Sequence, residues 1–135
     1  MKSLRSPETA RSAANVASVA FVIVILLQFL LAAGILPVTM AWGGTQTVLT
    51  TPLRLASLAS VVVLTLFAYV IRRRAGLCGK APPGKIVKIL SIVITVYVFL
   101  NTIANFASSS RAETLVFGSL SLILAASCLF VSFSE

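Results

Sequence analysis

Histidine is absent from this chain of 135 residues, and only Glu8, Glu113 and Glu135 are acidic. The usual general acid–base residues and most nitrogen or oxygen metal sites are therefore missing. No nucleophile–base pair is visible either, so neither enzyme activity nor a cofactor or metal is expected. Cysteine is scarce. Cys78 and Cys128 show no C-x-x-C spacing, and both fall toward the reducing side of the topology derived below, which argues against a structural disulfide. Charge of either sign is sparse, at 10% of residues against about 25% in soluble domains.

What fills the chain instead is apolar: 59% of residues are hydrophobic. A globule of this length cannot bury so much, because small domains are mostly surface. The sequence therefore predicts an all-α integral membrane protein. Lys and Arg outnumber Asp and Glu 11 to 3, for a net charge of +8. The basic residues flank apolar runs and are not interleaved with exposed aromatics, so they point to membrane orientation and not to nucleic acid.

Four runs are expected to be helices, at residues 7–36, 52–71, 84–106 and 111–133. Each is about 20 residues or more, enough at roughly 1.5 Å per residue to cross a hydrocarbon core of about 30 Å. Short connections make them an up-down-up-down bundle within a single membrane domain, residues 1–135. The first run follows Lys2, Arg5 and Arg11, as a signal peptide would. It is longer than the 7–15 residues of a signal-peptide core, so a transmembrane helix is expected. Ser6-Pro7-Glu8 has the form of an N-cap, a first-turn proline and a first-turn acid, and Pro37 is expected to end the helix. Thr51-Pro52 repeats the opening signal for the second run, which Arg72-Arg73-Arg74 should stop. Between these runs lies a loop, 38–51, that holds the only Trp, Trp42, before Gly43-Gly44. Trp42 is expected at the membrane interface, with a lid over the bundle mouth as the sharper alternative.

Charge asymmetry sets orientation. Lys2, Arg5 and Arg11 lie on one side with Arg72, Arg73, Arg74, Lys80, Lys85 and Lys88 of the basic loop 72–83 and its flanks; Arg54 and Arg111 lie opposite. Both termini are thus expected in the cytoplasm, in a plasma or bacterial inner membrane. Arg72, Arg73, Arg74, Lys85 and Lys88 are candidates for contact with anionic lipid headgroups there.

The candidate site is on the third run. Tyr97, Asn101, Asn105 and Ser108 recur at i, i+4, i+8 and i+11, one helical face. Carboxamides in hydrocarbon need protein, water or a ligand as partner. This stripe is either interhelical packing or the wall of an outward-opening polar cavity. Arg54 could supply a charge at its mouth, pairing with Glu113 or an anionic ligand, or could snorkel to the interface. Ser57 and Thr65 share its side of the helix, a face that could meet the third helix. Ser110 and Glu113 have capping-box spacing, which predicts a carboxylate turned back onto the start of helix four. Gln28 could bond Asn101 if their faces meet.

Thr114, Gly118, Ser121, Ala125, Cys128 and Ser132 form a small-residue seam spaced 4, 3, 4, 3, 4. Such a seam packs helices, within one chain or against a second copy or a larger membrane partner. Two function classes follow. The first is a scaffold or accessory subunit working through helix packing. The second is a small transporter, channel or lipid-binding protein using the helix-three cavity.

Overall fold

The computed structural model describes residues 5–134, so Lys2 of the basic flank and Glu135 lie outside the described residues. Among these residues the fold is all-helical, without strands, and four helices are long and apolar enough to cross a membrane. Helix α1 spans Pro7–Ala32, α2 Thr51–Arg74 and α3 Lys85–Phe106. The fourth opens with a π-helical turn, Glu113–Gly118, and continues as α4, Ser119–Ser132.

The helix ends follow local chemistry. Ser6 caps α1 by accepting from the Thr9 N–H at 3.2 Å, with Pro7 in the first turn. The cap of α2 is Thr50, not Thr51, because its hydroxyl is the one that accepts from the Leu53 N–H, at 3.3 Å. Helix α1 stops at Ala32, short of Pro37. Gly34 takes φ +78°, the Ile35 N–H bonds the Leu30 carbonyl and the Gly34 N–H bonds that of Leu31. That pair of bonds around a left-handed glycine is the Schellman termination. Gly76 does the same for α2, with the Leu77 N–H on Arg72 and its own N–H on Arg73. The three arginines therefore form the last turn of α2 instead of stopping it, where cations suit the negative end of the helix dipole.

Helix α1 packs along both α2 and α4, α3 packs along α4, and α2 meets α3 over a shorter stretch. Small residues make the close approaches possible. Ala10, Ala14, Ala17 and Ala20 of α1 are buried, as are Gly118, Ser121, Ala125, Cys128 and Ser132 of the helix-four seam, with Thr114 half-buried. That seam is consumed inside the chain. In lipid such helices gain van der Waals contact and hydrogen bonds instead of a hydrophobic term. One such bond joins Thr95 Oγ1 to Ser132 Oγ at 2.9 Å, between α3 and α4. Large apolar side chains point outward instead, among them Val62, Leu66, Val93, Leu100 and Ile103. Helix α2 buries only Ser57 and Ile71.

At one end of the bundle, the connection after α1 meets the turn after α3: the Ser109 N–H and hydroxyl both donate to the Gly43 carbonyl, at 3.2 and 2.8 Å. At the other end arginines tie the strands of chain together. Arg5 Nε donates to the Phe133 carbonyl at 2.9 Å, and Arg74 to that of Ser134 at 2.9 Å. Arg72 reaches Asn15 Oδ1 and Ser18 Oγ of α1, at 3.2 and 3.0 Å. Arg73 holds the carbonyls of Cys78 and Ala81. These are the Trp42 end and the arginine end.

Candidate functional site

The shorter contact between α2 and α3 leaves a cavity of about 570 Å³ toward the Trp42 end. Its wall comes from every helix: Val24 and Gln28 of α1, Ser60 and Val63 of α2, Tyr97, Asn101 and Asn105 of α3, and Glu113 and Phe117 of the π turn. Ala41, Trp42 and Gly43 of the connecting loop also line it. Ala56, Ala59 and Ala104 keep the space open, since a larger side chain at these positions would fill it. Along α3 the lining runs from Tyr97 to Asn105, about 12 Å of helix. The volume falls within the roughly 300–1,000 Å³ of small-molecule sites.

The helix-three stripe divides between packing and cavity. Asn105 is buried and donates through Nδ2 to the Phe117 carbonyl at 3.3 Å and to Ser121 Oγ at 3.1 Å. Asn105 thereby ties α3 to the start of the fourth helix, sharing the Phe117 carbonyl with Ser121 Oγ. Asn101 is exposed and has no hydrogen bond to any described residue. Tyr97 meets Phe67 of α2 edge to face, with ring centres 5.4 Å apart, and so bridges the α2–α3 gap at the deep end. Ser108 is outside the lining and donates to Glu113 Oε2 at 2.6 Å.

Arg54 stands apart. It is exposed and is not among the lining residues. The α2 face that meets the cavity carries Ala56, Ser60, Val63 and Leu64, whereas Ser57 is fully buried and Thr65 is exposed. Gln28 and Asn101 both reach the cavity without bonding each other, and Gln28 Oε1 is buried with no partner.

Glu113 departs from its capping-box expectation. Half of that motif forms, the Glu113 N–H donating to Ser110 Oγ at 3.2 Å. The Ser110 N–H goes to Ser108 Oγ instead, at 3.0 Å, which leaves the carboxylate free to turn inward. Its Oε2 accepts from the Gly43 N–H at 3.1 Å as well as from Ser108. The acid thus clamps the connecting loop onto the helix-four start. Spacing within one segment signals a cap, and nothing local reveals a loop seventy residues away. The signal available was charge: Glu113 is the only acidic residue between Glu8 and Glu135. Trp42 sits in this loop with φ +58°, a left-handed conformation worth on the order of 1–3 kcal/mol of strain for a bulky residue. Its ring is half-buried against the core and lines the cavity.

The five basic headgroup candidates also divide. Arg72, Arg73 and Arg74 spend hydrogen bonds on the protein, whereas Lys85 and Lys88 are exposed at the start of α3. Cys78 and Cys128 are free thiols, the first partly exposed and the second buried. No protein-family model matches this chain, and neither a curated protein nor a solved structure matches it.

Proposed function

We propose that this is a small multi-pass membrane protein that binds a small amphipathic molecule between α2 and α3, as a step in solute or lipid handling. The cavity carries this reading: four helices and the Trp42 loop converge on one space with apolar walls and a few polar groups, the usual composition of a ligand site. A scaffold working through the helix-four seam has less support, because those small residues are already packed within the chain. Catalysis has less still, since the polar side chains of the lining are three carboxamides, one serine, one carboxylate, the Tyr97 phenol and the Trp42 indole, with no histidine or lysine among them. The positive-inside asymmetry supports an up-down-up-down bundle with the arginine end and both termini in the cytoplasm of a plasma or bacterial inner membrane. Exposed Lys85 and Lys88 suit anionic headgroups on that side.

Native mass spectrometry of protein extracted gently with its lipids tests the proposal, against a Ser60→Phe variant that fills the cavity. The expected result is a small-molecule or lipid adduct on the wild type that the variant loses while its melting temperature holds. Identical adducts on both proteins would sink the cavity as a binding site and return the scaffold to the lead.

A further inference from the structure

The charge in the cavity wall has one sign. Glu113 is the only ionisable carboxylate lining it, and neither Lys nor Arg is present there. Its side chain is only 7% exposed. Both of its hydrogen bonds fall on Oε2, from Gly43 and Ser108, and Oε1 has no hydrogen-bond partner among the described residues. A carboxylate offers about four acceptor sites, so half of its capacity is unused. In a low-dielectric wall such a group attracts a cation far more strongly than it would in water. Trp42 is the residue next to Gly43, whose N–H is on the carboxylate, and it lines the same space. Indole has the best face for a cation. Deeper in, Val63, Leu64 and Tyr97 present apolar and aromatic surface.

We propose that the molecule bound here carries one positive charge, as a protonated amine or quaternary ammonium on an apolar body. The charge sits against Glu113 Oε1 and the Trp42 ring, and the apolar part extends toward Val63 and Leu64. This rests on the cavity being a binding site and adds the chemistry it selects. The chain's net charge of +8 does not oppose it: most basic residues lie at the arginine end and act over only about 8–10 Å in physiological salt, and Arg54 and Arg111 of the Trp42 end are exposed and outside the lining. Such an ammonium could belong to a free amine or to the headgroup of a choline or ethanolamine phospholipid.

The only Trp lines the site, so its emission reports occupancy without a label. The full chain in nanodiscs is titrated with benzyltrimethylammonium and with neopentylbenzene, its neutral isostere. The cation is expected to saturate the signal and bind about tenfold more tightly than the isostere. Glu113→Gln should bring the two to within about twofold by weakening the cation alone. Equal affinity of both probes for the wild type overturns the charge assignment, and needs no variant to fold. If neither probe saturates, the binding reading itself fails, which is a separate outcome. Discs of phosphatidylcholine and of digalactosyldiacylglycerol, which lacks an ammonium, separate the sources. Weaker cation binding in phosphatidylcholine identifies the headgroup as occupant, and unchanged binding a free amine.

Discussion

Two asparagines one helical turn apart have different work. Asn105 is buried on the π turn, bonding the Phe117 carbonyl and Ser121, whereas Asn101 is exposed at the cavity. Asn105→Leu removes both bonds but leaves Phe117 its bond from Ser121 Oγ, so a loss of about 1–2 kcal/mol is expected. Asn101→Leu should stay within about 0.5 kcal/mol of the wild type. Unfolding followed by circular dichroism in micelles measures both, and equal losses would mean that the stripe is packing throughout. That a polar stripe exists was legible from residue type and periodicity. Which amide bonds and which stays free at the cavity depended on where Phe117 and Ser121 of the fourth helix meet α3, and no spacing rule announces that contact.

The connecting loop and the turn after α3 form one small element through backbone proximity. Gly44 has φ +79°, and a Cβ there would lie 2.5 Å from the Ser110 nitrogen. Because the obstacle is backbone, no rotamer change relieves it, and the left-handed conformation itself costs an L-residue about 1–2 kcal/mol. Gly44→Ala should therefore lift the loop off the turn and weaken the Glu113 clamp. Hydrogen exchange is expected to quicken about tenfold at the amides of Gly43, Ser109 and Ser110, with the interiors of α1 to α4 unchanged. Exchange as slow as in the wild type would show that the loop is held by something other than this close approach. Sequence marked Gly43-Gly44 as a turn and Trp42 as an interface residue. The partner surface, Ser108 to Glu113, is too distant in the chain for any local pattern to indicate.

Among the described residues, many large apolar side chains face outward while the interior mixes apolar residues such as Phe21, Leu31 and Val131 with small and polar ones, which suits four helices in lipid. The two cysteines test this arrangement together with the proposed orientation. Cys78 is partly exposed in the connection after α2, and Cys128 is fully buried on α4. An impermeant maleimide should label Cys78 only in inside-out vesicles or broken cells, and should leave Cys128 untouched until the protein is denatured. Labelling of Cys78 in intact cells would reverse the topology. Labelling of native Cys128 would mean that the seam opens or faces elsewhere.

The number of helices, their starts at Ser6-Pro7 and near Pro52, and their membrane character were determined by the sequence alone. Hydrophobic run length and capping chemistry are local, and nothing distant competes with them. The ends of α1 and α2 were equally local in cause, but they turned on Gly34 and Gly76 adopting left-handed conformations, where Pro37 and the arginine run looked like stronger stops. Only the tertiary structure decided that the helix-four seam is filled from within, that Arg54 is left out of the cavity lining and that Glu113 joins it. Each of these depends on which faces of four nearly uniform apolar helices meet. In lipid no hydrophobic gradient writes that choice into the pattern, and it is made by small-residue contacts and a few polar bonds between segments far apart in the chain.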